Sequence, residues 1–121
     1  MKTVLVVDDS PSVRQQVSLA LRQAGYEVLE AGDGVEGADC VVANPKIAMI
    51  ICDVNMPRMN GLEMVEKVKG GGANAQLPIL MLTSEAQPAL IERAKKAGAK
   101  GWIVKPFKAE LLVAAVNKLV A

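Results

Sequence analysis

The chain has 121 residues, 51 % of them apolar, and a formal net charge of +1. That is enough for one domain with its own core, and the charge balance gives no general drive toward nucleic acid or acidic membranes. It contains no histidine, which excludes a Ser-His-Asp triad, a Cys-His pair, zinc–histidine sites and phosphohistidine chemistry on this chain. Two cysteines, Cys40 and Cys52, make no disulfide framework, and Cys52, closing an apolar run, reads as a buried thiol. No apolar run approaches the ~18 residues of a membrane span. Met1-Lys2-Thr3 leads into only a few apolar positions before Asp8, too few for a signal peptide, so a cytoplasmic location without membrane insertion is expected.

Short apolar runs alternate with helix-periodic segments, a βαβα rhythm that implies a parallel sheet with helices on both faces. Val4–Val7 is the first strand. Ser10 then stands as an N-cap with Pro11 at the first helical position. Val13, Val17, Ala20, Leu21 and Ala24 follow at helical spacing, and Gly25 is placed to close the helix. The second strand is Glu27–Ala31. A second helix over roughly Val35–Ala43 holds Gly37, Val41 and Val42, poor helix formers, and ends at Asn44-Pro45. The third strand runs from about Ala48 to Cys52. Asn60 and Glu63 form a capping-box pattern for a third helix with Leu62, Val65 and Val68 on one face. The glycine run Gly70-Gly71-Gly72 is a flexible connection to the fourth strand, Pro78–Leu82. Pro88 opens a fourth helix that ends at Gly98. The fifth strand is Trp102–Val104. The fifth helix spans about Lys108–Val120, with Leu111, Leu112, Ala115, Val116 and Leu119 toward the core. Five strands and five helices fill residues 1–121 as one domain, with no room for an output or DNA-binding domain.

Polar residues with chemistry follow four of these strands: Asp8-Asp9, Asp53, Thr83 and Lys105. In an open parallel sheet those strand ends share one edge, where ligands bind. Taken singly, each residue has a plain reading: Asp9 as a helix cap, Asp53 as a turn residue before Pro57, Thr83-Ser84 as a helix start, Lys105 as a solvated charge. Their joint placement behind four separate apolar runs points instead to one site. Two carboxylates ~4 Å apart repel by about 4 kcal/mol at an effective dielectric of 20, so a cation belongs to the design. The pattern suits a divalent metal and a phosphoryl group.

Val6-Val7-Asp8-Asp9-Ser10, Asp53-Val54-Asn55-Met56-Pro57, Thr83-Ser84 and Lys105-Pro106-Phe107, in this order and spacing, resemble the receiver domains of two-component response regulators. The stand-alone, CheY-like chemotaxis type is nearest, and the resemblance covers essentially the whole chain. It implies a flavodoxin-like (βα)5 fold, α/β, with a five-stranded parallel sheet in the order 2-1-3-4-5. It implies that Asp53 is the phospho-acceptor, taking a phosphoryl group from a histidine kinase or a small phosphodonor. It further implies Mg²⁺, with Mn²⁺ as a substitute, held by Asp9 directly, by Asp8 mainly through water, by Asp53 and by the Asn55 main-chain carbonyl. Lys105 would supply a cation and Thr83 a hydroxyl to the phosphoryl oxygens, with Lys105-Pro106 in the cis form.

Signal exit is implied in the same way. Thr83 turns toward the phosphoryl group and the aromatic three residues before the lysine moves in behind it; here that aromatic is Trp102, where the family usually has Tyr or Phe. Asn55 and Glu85 occupy the positions that tune dephosphorylation and match the CheY-like combination, which suggests a short-lived signal. The output face would be the fourth helix, fifth strand and fifth helix. In this chain it carries Arg93, Lys95, Lys96, Lys100 and Lys108 with few acids among them, which reads either as a site for an acidic segment of a downstream target or as a solvated helix face. The expected protein is thus a monomeric phospho-acceptor in chemotaxis or motility. It catalyses its own phosphorylation and dephosphorylation rather than turning over an external substrate. An unphosphorylated interaction module and a phosphorelay intermediate are the alternatives within the family. Outside it, a haloacid-dehalogenase-type hydrolase would need an acid where Asn55 stands, and an amide cannot transfer the proton. A flavin module would need a hydroxyl- and glycine-rich phosphate loop where the anionic Asp8-Asp9-Ser10-Pro11 stands, and aromatics to stack on the ring, of which the chain has three. No P-loop is present.

Overall fold

The computed structural model describes residues 2–54, 63, 77–83 and 88–120. In chain order, and numbering only the described elements, these are β1 (Thr3–Val7), α1 (Pro11–Gln23), β2 (Glu27–Ala31), α2 (Gly34–Ala43), β3 (Ile47–Asp53), β4 (Ile79–Thr83), α3 (Pro88–Ala97), β5 (Gly101–Val104) and α4 (Ala109–Val120). The strands form one parallel sheet in the order β2-β1-β3-β4-β5, as the resemblance implied. The helices α3 and α4 are the fourth and fifth of the sequence reading. The expected third helix lies outside the described residues except for Glu63, which is helical.

Burial follows from strand alternation. Residues of β1, β3 and β4 are covered on both faces, which is why these strands read as continuous apolar runs. Leu5, Val7, Ile50, Cys52, Ile79 and Met81 point to one face and pack with Ala38 and Val41 of α2 and Ala94 of α3. Val4, Val6, Met49, Ile51, Leu80 and Leu82 point to the other and meet Val17 and Leu21 of α1 and Leu112 and Val116 of α4. Among the described residues two helices therefore lie on each face, and strand order reverses between β1 and β3, the place where such sheets open a crevice.

Local chemistry sets the helix ends. The Ser10 side chain accepts from the Val13 N–H, with Pro11 at the first position, as expected. For α2 the cap is Asp33, whose Oδ1 accepts the Glu36 N–H at 2.9 Å, so this helix starts one residue earlier than the apolar pattern suggests. Gly25 and Gly98, just past α1 and α3, adopt φ of 95° and 108°, the left-handed region that favours glycine after a helix.

Three expectations need correction. Leu111 does not face the core: it is 62 % exposed, while Leu112 and Val116 are buried. Ala24 is the exposed C-cap of α1, and Ser18 takes up buried space on that helix instead. Asp53 and Thr83 are the last residues of β3 and β4 rather than the first residues after them. The backbone ladder carries on through these ends, with the Val54 N–H donating to Leu82 O at 3.1 Å and the Lys105 N–H to Thr83 O at 2.6 Å.

Candidate functional site

Parallel register brings the selected residues together. Val7 pairs with Cys52, Asp53 with Leu82 and Thr83 with Val104. Asp8 therefore follows β1 beside the Asp53 end of β3, and Lys105 follows β5 beside the Thr83 end of β4. Asp8 and Thr83 are fully buried and Asp53 nearly so, whereas Asp9 is exposed.

The three carboxylates of Asp8, Asp9 and Asp53 each offer an oxygen within 4.8 Å of the others. Lys105 reaches across the sheet edge and donates to Asp8 Oδ2 at 2.9 Å and to Asp53 Oδ1 at 3.2 Å. Its peptide bond to Pro106 is cis. The other Asp8 oxygen, Oδ1, accepts the Ser10 N–H at 2.9 Å. Both Asp8 oxygens are thus engaged, while Asp9 faces outward.

Burial raises the Asp53 carboxyl above the ordinary aspartate range, and the negative charges of Asp8 and Asp9 push the same way; Lys105 offsets only part of this. Burial alone would lower the Lys105 amine, but its contacts with Asp8 and Asp53 outweigh that and leave it above its usual value. Lys105 therefore stays charged at neutral pH. Behind the acceptor position, burial drives the Cys52 thiol far up, with Asp53 and Asp8 adding to it, so Cys52 is an inert packing group and no nucleophile.

One amine against three carboxylates leaves local negative charge at a sheet edge. All-oxygen donors, one of them solvent-facing, fit a hard divalent cation. Asn55, Ser84 and Glu85 lie outside the described residues. Trp102 is half-buried on β5, opposite Met81, and packs against the cluster that holds Cys52 and Ile79; its indole N–H is buried and finds no partner among the described residues. Arg93, Lys95, Lys96, Lys100 and Lys108 are exposed. No helix among the described residues is long and apolar enough to cross a membrane.

The sequence reading passed over one group beside this site. Arg14, on the first turns of α1, donates to the Asp8 main-chain carbonyl at 2.7 Å and pairs with Glu30 near the end of β2 at 3.2 Å. As a helix-surface arginine it reads as a solvated charge; the only hint in the sequence is the acid at the end of the neighbouring strand.

The comparisons with known proteins agree with this geometry. The family model described as response regulator receiver domain matches residues 4–117. The chain is 44 % identical over 110 residues to chemotaxis protein CheY1 of Helicobacter pylori, covering 90 % of this chain and 89 % of that protein. It is 43 % identical over 110 residues to the chemotaxis protein CheY homolog of Campylobacter jejuni, covering 90 % and 85 %. Among solved structures, Vibrio cholerae chemotaxis protein CheY4 superposes with a TM-score of 0.93 at 44 % identity, covering 98 % of both chains. With its strand order, its acidic sheet edge and a family match running nearly end to end, the chain belongs to the response regulator receiver domain family.

Proposed function

We propose that this chain is a phosphorylation-activated signalling switch that accepts a phosphoryl group on Asp53. The observation that carries this reading is the bridge of Lys105 between Asp8 and Asp53, with Asp9 within 4.8 Å at the same strand ends. An Asp53 oxygen attacks phosphorus, the bond from phosphorus to the donor breaks, and an acyl phosphate forms. The donor is a histidine kinase phosphohistidine, whose imidazole leaves, or a small acyl phosphate, whose carboxylate leaves. Because the chain has no histidine, the group must arrive from outside it.

Asp9, Asp53 and the Asn55 main-chain carbonyl would hold Mg²⁺, or Mn²⁺ in its place. Asp8, whose two oxygens already accept from Ser10 and Lys105, suits a water-mediated role. When bound, the metal neutralises charge on the phosphoryl oxygens. Lys105 supplies a cation to a phosphoryl oxygen once the new group replaces an Asp53 contact, and the Thr83 hydroxyl donates to another. Asn55 and Glu85 govern water access to the acyl phosphate. The chain thereby catalyses its own phosphorylation and dephosphorylation and is not a turnover enzyme on an external substrate.

Thr83, fully buried at the end of β4, and Trp102 on β5 form the route from the site to the surface of α3, β5 and α4. The exposed basic residues there suit an acidic segment of a downstream target. The chemotaxis proteins among the relatives support a role in chemotaxis or motility. Incubation with Mg²⁺ and acetyl phosphate, followed by intact-mass measurement, is expected to give one phosphoryl adduct on the wild type and none on Asp53→Asn. An adduct of equal size on both proteins would overturn the assignment.

A further inference from the structure

Every polar atom of Asp8 has a partner, and these partners come from four residues. Its N–H donates to Ala31 O at 3.1 Å, at the end of β2. Its carboxylate accepts from the Ser10 N–H and from Lys105. Its carbonyl accepts from Arg14 Nη1 at 2.7 Å. The last contact differs in what it controls. A peptide unit is planar, so the Asp8 carbonyl and the Asp9 N–H and Cα turn together. A donor that holds the Asp8 carbonyl therefore sets the rotation of the peptide that carries Asp9, the exposed carboxylate of the cluster.

Arg14 is built for that task. It lies in the first turns of α1, with its side chain only 23 % exposed. Its Nε donates to Glu30 Oε1 at 3.2 Å, and the other Glu30 oxygen lies 3.6 Å from Arg22 Nη2. Glu30 thus sits between two guanidinium groups of α1 and fixes the Arg14 fork from the β2 side. A guanidinium holds two acceptors in a rigid plane, where a lysine amine would be a single flexible point charge. Among the described residues, Arg14 donates to the Asp8 carbonyl and to Glu30 rather than to the carboxylates of Asp8, Asp9 or Asp53.

We propose that Arg14, braced by Glu30, is a positioning residue that aims Asp9 by clamping the Asp8 carbonyl, and so sets the affinity of the site for a divalent cation. This rests on the phosphoryl-switch reading of the same site. Partners that orient metal ligands from outside the coordination sphere commonly change metal affinity about 10–100-fold when removed.

The test titrates Mg²⁺ by calorimetry, and Mn²⁺ by electron paramagnetic resonance, into wild type, Arg14→Gln, Arg14→Lys, Glu30→Gln and Asp9→Asn. Acetyl-phosphate uptake is followed in parallel across Mg²⁺ concentrations. Arg14→Gln is expected to weaken metal binding about tenfold and to slow uptake at limiting Mg²⁺, with the rate returning toward wild type at saturating Mg²⁺. Arg14→Lys, which keeps a donor but not the fork, is expected to recover part of the loss, and Glu30→Gln to show a smaller loss. If Arg14→Gln only lowers the melting temperature and leaves metal affinity unchanged, the residue is structural and the proposal fails. If Arg14→Gln does not fold, Glu30→Gln decides by the same criterion. Wild-type binding that Asp9→Asn abolishes and both clamp variants preserve would overturn the proposal alone. A wild type that binds no divalent cation would overturn the phosphoryl-switch reading with it.

Discussion

Replacing Lys105 with methionine removes the cation that bridges the buried carboxylates of Asp8 and Asp53 while keeping much of the side-chain volume. Lys105 Nζ lies 2.9 Å from Asp8 Oδ2 and 3.2 Å from Asp53 Oδ1, and the Asp8 side chain is 1 % exposed. At an effective dielectric of 20 these contacts correspond to roughly 6 and 5 kcal/mol of Coulomb attraction. Much of that offsets the desolvation of the three groups, so the net loss on removing one partner is about 3–5 kcal/mol. A ceiling applies, because the site can take up a proton instead. At pH 7, protonating an ordinary aspartate costs about 4 kcal/mol, and Asp53, already raised by burial, takes one more readily. A folded variant that holds this extra proton loses stability as pH rises, by about 1.4 kcal/mol per unit. Urea denaturation of wild type and Lys105→Met in chelator, from pH 6 to 8, is therefore expected to show a deficit of about 3–4 kcal/mol that widens with pH. Millimolar Mg²⁺ should recover part of it. Equal stabilities across this range would refute the idea that Lys105 is the charge that holds the metal-free site together.

Asp53→Asn should act in the opposite direction. The raised Asp53 value means that the fold resists its ionisation, so the penalty is present above the folded value and vanishes below the ordinary aspartate range. In chelator at pH 7 the variant should be more stable by about 1 kcal/mol or more, with the gain fading toward pH 4; thermal melts that show a loss at pH 7 would contradict this. Trp102, the only tryptophan, should change its emission when Mg²⁺ and a phosphate mimic are added together, and identical spectra at saturation would sink its role in the switch. Gly101→Ala places a methyl 2.7 Å from Leu80 Cδ1, inside a side chain that is 1 % exposed. Overpacking there should cost about 1–3 kcal/mol, read as a lower denaturation midpoint, and an unchanged midpoint would show that Leu80 has room to yield.

The strands were legible because a parallel sheet covered on both faces demands unbroken apolar runs, and β1, β3 and β4 are such runs. Asp8, Asp9, Asp53, Thr83 and Lys105 were legible for the same reason: each stands where a run stops. Single-residue errors at the ends have one cause. The backbone ladder passes the last apolar residue, so Asp53 and Thr83 remain paired strand residues despite their polarity. Leu111 was misplaced because Leu111 and Leu112 are adjacent and point about 100° apart on a helix, and only one can face the sheet. Which one depends on where Val17 and Leu21 of α1 stand, a tertiary fact that α4's own residues do not carry. Arg14 escaped notice because its partner is a main-chain carbonyl, an acceptor every residue has, brought near by the approach of β1, β2 and α1.

The central claim is that Asp53 carries the phosphoryl group, and the most direct measurement locates that group chemically. Borohydride reduces an acyl phosphate to the alcohol and so marks the acceptor permanently. After treatment with Mg²⁺ and acetyl phosphate, reduction and peptide mapping are expected to show homoserine at position 53 alone, with the mark absent when Mg²⁺ is chelated and absent in Asp53→Asn. A mark at Asp8 or Asp9, or one that persists in Asp53→Asn, would contradict the assignment of the acceptor.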